Sequence, residues 1–290
     1  MRRGAACIVA LAALLPTPAA AQCGGFLEDP CPLDAPRWVG EFTTLSANAL
    51  IGGLTAGILQ ELRGASFAPA FVRGALGGAG VYAGKRIAAE RFSGAGLIGR
   101  QVAAVGSSVV RNASDDVPAL DRLILPVGPV RLYVTRSTGA VRPRIDALAL
   151  GWTIYGVLED EIDFDWSESL SAGAPVFVTR GKVIDRHHDG QTTGLAESGI
   201  VIVAGVPAFG AAHRRRVLAH ERVHIIQGDH IFTTWTDPLE DLVLPRLPGG
   251  NTFDRFADIG ISTSVLSLLV PLIPKYDDRP WEMESTFLAR

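Results

Sequence analysis

The sequence predicts an α+β fold, because two stretches with helical spacing flank a stretch of short strand-like segments. Residues 46 to 115 are rich in Gly, Ala and other small apolar residues. Residues 116 to 206 contain short runs of β-branched and aromatic residues separated by turn sequences. Residues 207 to 290 return to helical spacing. We therefore expect Gly/Ala-rich helices, an antiparallel sheet and C-terminal helices within one domain, residues 46 to 290.

The composition is that of a folded, slightly acidic protein. Of the 290 residues 48% are hydrophobic and 20% are charged, which suffices for a sizeable core and excludes a disordered chain. The 27 Lys and Arg residues against 30 Asp and Glu residues give a formal net charge of −3. Nucleic-acid-binding proteins are typically basic, so we expect no nucleic-acid partner.

The first 21 residues have the pattern of a secretory signal peptide. Arg2 and Arg3 form a positive n-region, and Ala5 to Leu15 form an apolar core that is too short to cross a bilayer. The small residues Ala19 to Ala21 provide a cleavage site. This pattern predicts export, so we expect the mature protein in the periplasm or cell envelope, or secreted.

Residues 22 to 45 are rich in Gly, Pro and Asp, which predicts a lead-in segment of turns. Cys7 leaves with the signal peptide, so Cys23 and Cys31 are the two cysteines of the mature chain. In an oxidising compartment we expect them to form one short-loop disulfide, with two free thiols as the alternative.

Within residues 46 to 115 small residues recur at helical spacing, which lets two helix backbones approach closely. Examples are the pairs Gly53/Gly57, Gly74/Gly78 and Gly80/Gly84. Charged residues such as Arg63 and Arg100 interrupt the apolar stretches, which favours a packed protein core over membrane spans. Association with a membrane surface stays open. The apolar run from Ile259 to Ile273 is short and contains Pro271, which favours a buried or surface-seeking helix over a membrane span.

The β part is read from five segments that favour strands. They are PVRLYVTR, PRIDALALGW, TIYGVL, PVFVTR and GIVIVAG. The last of these, residues 199 to 205, is interpreted as an edge strand that leads into the next helical part. An extended peptide could pair along such an edge.

The chemistry of the chain is predicted from His220-Glu221-Arg222-Val223-His224, an HExxH motif. On a helix, His220 and His224 share a face and can bind one Zn²⁺, with an open position left for water. Bound Zn²⁺ lowers the pKa of that water to about 7. A carboxylate beside the water can take its proton and pass it to a leaving amine, and Glu221 is placed for this role.

A strand followed by an HExxH helix resembles the arrangement in zincin metallopeptidases, over residues 199 to 290. The resemblance implies an exported zinc metallopeptidase that acts on a peptide or protein substrate, with Glu221 as general base.

Three residues compete to be the third metal ligand. His230 has the spacing found in metzincins, but Gln227 stands where that family has Gly. Glu282, in the segment Arg279-Pro280-Trp281-Glu282, resembles the third ligand of gluzincins, although Thr286 stands where gluzincins have Asp. Glu284 is the last alternative. The resemblance is closer to gluzincins, so Glu282 is the predicted ligand.

A function of another class is also open. Three features are compatible with a cell-envelope structural or binding protein. They are the partial match to gluzincins around Glu282, Gln227 in the place of Gly, and the Gly-rich first half of the chain. Such a protein would retain a zincin-like metal site without catalysis. The sequence does not decide the oligomeric state.

Overall fold

The computed structural model describes residues 36–181, 193–207, 210–243, 246, 256–258, 260 and 280–290. The predicted signal peptide, Cys23, Cys31 and almost all of the run from Ile259 to Ile273 lie outside the described residues.

The described chain is a mixed α and β fold, as the sequence predicts at the coarse level. The helices are α1 (Arg37–Leu62), α2 (Phe67–Ala88), α3 (Ala95–Ser114), α4 (Ala147–Leu158), α5 (Trp166–Ala172), α6 (Ala211–Ile231), α7 (Asp237–Val243) and α8 (Pro280–Leu288), with a π-helix at Phe232–Thr236 between α6 and α7. The strands are β1 (Arg122–Val127), β2 (Val130–Thr135), β3 (Ala140–Asp146), β4 (Ile162–Phe164), β5 (Val176–Thr179), β6 (Gly194–Glu197), β7 (Ile200–Val203) and β8 (Ala257–Asp258).

Helices α1, α2 and α3 pack against one another through glycines. A Cβ atom at Gly52 would lie 2.5 Å from the carbonyl oxygen of Gly74, and one at Gly84 would lie 2.5 Å from Cβ of Ala103. Side chains at these positions would push the helices apart. The close approach predicted from the small-residue spacing is therefore confirmed.

Helix α1 begins at Arg37, so the helical part extends into the predicted lead-in segment. Gly40 lies within this extension, and its missing side chain leaves room for the ring of Phe287 on α8.

By length and composition α1 could cross a membrane, and 33% of its apolar 18-residue window is buried. The expectation that charges interrupt every such stretch is wrong here, because Arg63 follows the end of α1.

The predicted single antiparallel sheet is wrong in detail, since the described strands form two mixed sheets. In the first, the order is β1-β2-β3-β8, with antiparallel pairs except for the parallel pair of β3 and β8. In the second, the order is β4-β5-β7-β6, with β5 and β7 parallel. The segment GIVIVAG contains β7, an inner strand, so its interpretation as an edge is wrong. Among the described strands β6 is an edge of that sheet.

Residues 147–158 were predicted as strand and form helix α4 instead. The side chain of Asp146 accepts a hydrogen bond from the backbone N–H of Ala149, which is an N-cap interaction. The Ala and Leu residues that follow favour helix over strand. Local capping therefore outweighs the β-branched and aromatic residues that indicated strands here.

Helix α6 lies between the second sheet and the glycine-rich helices. Val217, Leu218 and Ile225 on α6 belong to one core cluster with Val176 on β5 and Val201 on β7. Ile226, on another face of α6, packs in a cluster with residues of α2 and α3. Both faces of α6 are therefore held by packed neighbours, which gives the residues on it a rigid support.

Candidate metal centre

The HERVH residues, 220–224, lie in the interior of α6. One helical turn separates His220 from His224, so both rings lie on the same face of the helix. That face is turned to α8, which carries Glu282 in its first turn. Two segments far apart in the sequence thus contribute to one cluster.

Three potential ligand atoms converge in this cluster. His220 Nε2 lies 2.9 Å from His224 Nε2, and Glu282 Oε2 lies 3.2 Å from the first and 3.0 Å from the second. In a tetrahedral zinc site with bonds of 2.0 to 2.2 Å, two ligand atoms are roughly 3.4 Å apart. The three atoms are therefore spaced almost as a bound metal requires.

The three side chains are also well shielded from solvent. Their exposed fractions are 4% for His220, 13% for His224 and 9% for Glu282. Among the described residues these three form a group of His, Cys, Asp and Glu able to hold a metal ion. Two imidazoles and one carboxylate suit several divalent metals, so the donor set alone does not select zinc.

The charges in the cluster support one another. Burial raises the pKa of Glu282, but hydrogen bonds to His220 and His224 outweigh it and hold that pKa well below its usual range. Burial lowers the pKa of His224, and the opposing hydrogen bond and charge of Glu282 raise it to about 9. The carboxylate thus attracts positive charge to this point, and a metal cation would satisfy the same attraction.

Glu221 lies beside this cluster and is 4% exposed. Burial raises the pKa of its carboxyl group, while the charges of His220 and His224 act in the opposite direction. The backbone N–H of Ala196 on β6 donates a hydrogen bond to it. The predicted general base is therefore close to both the histidines and a sheet edge.

Glu284 and His230, the alternative ligands, have other contacts. Glu284 accepts hydrogen bonds from Asn48, Lys85 and Gln227. His230 Nδ1 lies 2.9 Å from the hydroxyl of Ser107. Desolvation and the charge of Lys85 lower the pKa of His230 to about 3. Neither residue belongs to the cluster of converging ligand atoms.

Sequence reasoning missed several residues around the cluster. Ser285 is completely buried, and its hydroxyl lies 3.4 Å from His220 Nε2 and 3.2 Å from His224 Nε2. Lys85 and Asn48 reach the same region from α2 and α1. Lys85 was the available signal, because it lies in a mostly apolar, glycine-rich helix and a buried charge there needs a partner.

Comparisons of the chain with protein-family models, with curated proteins and with solved structures found no match. The function is therefore argued from the geometry of the candidate metal centre.

Proposed function

We propose that this chain is an exported zinc-dependent metallohydrolase, most specifically a peptidase. His220, His224 and Glu282 hold Zn²⁺ in this proposal, and Glu221 is the general base. The proposal of export depends on residues 1–21, which lie outside the described part of the chain.

The convergence of three ligand atoms from α6 and α8, with Glu221 beside them, is the observation that carries the proposal. A structural ion-pair cluster of two histidines and Glu282 would need no second acidic group at this point. Glu221 adds a second carboxylate in a buried place where burial raises its pKa. A raised pKa suits a group that must accept and then release a proton near neutral pH.

Zinc held by His220, His224 and Glu282 would supply a water of lowered pKa and would polarise the substrate carbonyl. Glu221 takes the proton from that water and transfers it to the leaving amine nitrogen. Strand β6 lies next to Glu221, and a peptide lying along this edge would bring its carbonyl toward the histidines. This proximity favours a peptide or protein substrate.

The substitution Glu221→Gln tests the mechanism. We expect peptide hydrolysis to fall by about 10²- to 10⁴-fold, because the amide cannot accept the proton. The zinc content should stay near one ion per chain, since Glu221 is not among the ligands. Glu90→Gln is the matched control, because Glu90 is exposed and pairs with Arg86. Full activity in Glu221→Gln would overturn the assignment of the base.

A non-catalytic metal site is the second candidate function, and the position of Ser285 favours it. Its hydroxyl is almost as near to the two histidine Nε2 atoms as Glu282 Oε2 is. If Ser285 occupies the fourth position, no site is left for water. Ser285→Ala then weakens metal binding, whereas in the catalytic proposal it leaves metal affinity nearly unchanged.

A further inference from the structure

A buried polar cluster connects the glycine-rich helices to the candidate metal centre. Lys85 Nζ on α2 lies 2.6 Å from Glu284 Oε2 and 2.8 Å from Asn48 Oδ1. Asn48 Nδ2 on α1 lies 2.6 Å from Glu284 Oε1. The side chains of Lys85 and Glu284 are only 6% and 14% exposed. Both oxygens of the carboxylate are therefore engaged by donors from two other helices.

The cluster continues from Glu284 to a metal ligand through Gln227. Gln227 Nε2 lies 2.8 Å from Glu284 Oε2 and 3.1 Å from the carbonyl oxygen of Trp281. Gln227 Oε1 lies 2.7 Å from His224 Nδ1. One glutamine side chain thus joins the Lys85 and Glu284 ion pair to the ring of His224.

The positions of the hydrogens along this path follow from whether each group can donate or accept a hydrogen bond. Lys85 only donates, and the Glu284 carboxylate only accepts. The NH₂ group of Gln227 must therefore face Glu284, which leaves its oxygen facing His224 Nδ1. Because an amide oxygen only accepts, Nδ1 of His224 carries a hydrogen, and Nε2, which faces His220 and Glu282, is the ring nitrogen left to bind a metal.

The close approach of α1 and α2 makes the cluster possible. Gly78 on α2 lies directly against the backbone of Asn48 and Ala49 on α1. A larger residue at position 78 would separate the helices and withdraw Asn48 from Lys85. The glycine-rich half, which the proposed function does not otherwise use, thereby contributes to the geometry of the site.

We propose that Gln227, oriented by Glu284 with Lys85 and Asn48, is a positioning residue that fixes His224 as a metal ligand through its Nε2 atom. The inference rests on the proposed metal site. Partners that hold the second ring nitrogen of a metal-binding histidine raise metal affinity, and their loss typically costs 10- to 100-fold. Here the partner is an amide, and an ion pair from the glycine-rich helices fixes its orientation.

The test measures Zn²⁺ affinity by competition with a chelator, and the visible absorption of Co²⁺ bound in place of zinc. Gln227→Met keeps the length of the side chain and removes the acceptor for His224. We expect its Zn²⁺ dissociation constant to rise about 10- to 100-fold. We also expect its Co²⁺ spectrum to shift, because the ligand field changes when the ring of His224 turns. Glu284→Gln should raise the same constant by about 10-fold.

Asp229→Asn is the matched control. Asp229 also lies on α6 and also pairs with a buried cation of the glycine-rich helices, since its Oδ2 is 2.6 Å from Nε of Arg100 on α3. It has no place in the path from Lys85 to His224. The loss of this ion pair lowers the stability of the variant, but we expect folded Asp229→Asn to keep the Zn²⁺ affinity and Co²⁺ spectrum of the wild type.

The outcomes separate this inference from the proposed function. Gln227→Met leaves Lys85 and Glu284 paired, so it keeps the test valid even if Glu284→Gln does not fold. Wild-type affinity and spectrum in folded Gln227→Met overturn this inference alone. Absence of metal binding by the wild type overturns the proposed function together with it.

Discussion

Gly194 on strand β6 lies against the carboxylate of Glu221 and the side chain of Val217, so that a Cβ atom at position 194 would be 2.5 Å from Glu221 Oε1 and slightly closer to Cγ1 of Val217. The glycine leaves the space in which the proposed general base sits. The N–H of Ala196, two residues further along the strand, holds the same carboxylate by a hydrogen bond. The position of Glu221 is therefore decided by β6 as well as by its own helix.

Gly194→Ala should lower kcat by about 10- to 100-fold, because the added methyl group displaces Glu221 and small displacements of a catalytic group are costly. The zinc content should not change. Gly228→Ala on α6 is the matched control, since no atom lies within 4 Å of a Cβ atom there. Peptidase kinetics and metal analysis of both variants check the prediction, and an unchanged kcat in Gly194→Ala would contradict it.

Glu282→Ala should remove most of the bound zinc, because it deletes one of three converging ligand atoms. His230→Asn should keep about one zinc per chain, since His230 contacts Ser107 instead. Metal analysis of the purified variants decides between the two candidate ligands. Retention of zinc in Glu282→Ala with loss in His230→Asn would reverse the assignment.

The metal-free protein should lose stability as the pH falls from 6.5 toward 3. The pKa of His230 is lowered from 6.5 to about 3 by desolvation and the charge of Lys85. Within this window the unfolded chain binds a proton that the folded chain does not, so protonation favours unfolding. Each pH unit costs at most about 1.4 kcal/mol, and less because His230 is only partly buried.

Urea unfolding of wild type and His230→Asn at several pH values measures this effect. The stability of the variant should depend less on pH between 6.5 and 3, while the two proteins should have parallel profiles above pH 7. Identical slopes in the acidic window would show that His230 titrates normally in the folded protein.

Asp229→Asn should reduce the free energy of unfolding by about 3 to 5 kcal/mol, because it leaves the charge of Arg100 buried without its partner. The side chains of Arg100 and Asp229 are only 3% and 11% exposed. Arg180→Gln breaks a pair in which both side chains are 59% exposed, and it should leave the free energy of unfolding nearly unchanged. Chemical denaturation of the two variants compares a buried pair with an exposed one.

Several parts of the structure were predictable because they depend on local spacing. The small residues of α1 to α3 recur on one helical face, and His220 and His224 are one turn apart, so both patterns can be read without any tertiary contact. The strand prediction from the local sequence was wrong at residues 147–158, where the N-cap at Asp146 favours a helix. The prediction that β7 is an edge strand was also wrong, because the position of a strand in a sheet depends on which other strands pair with it.

The sequence by itself determined the glycine spacing of the first helices, the helical pattern around residues 220–224 and the short set of candidate ligands. Only the tertiary structure decided that Glu282 meets the two histidines while Glu284 meets Gln227, Lys85 and Asn48. The physical reason is that Glu282 and Glu284 are two residues apart on α8 and therefore point in different directions. Which direction faces α6 depends on how the helices pack, and the spacing of residues along one helix does not contain that information.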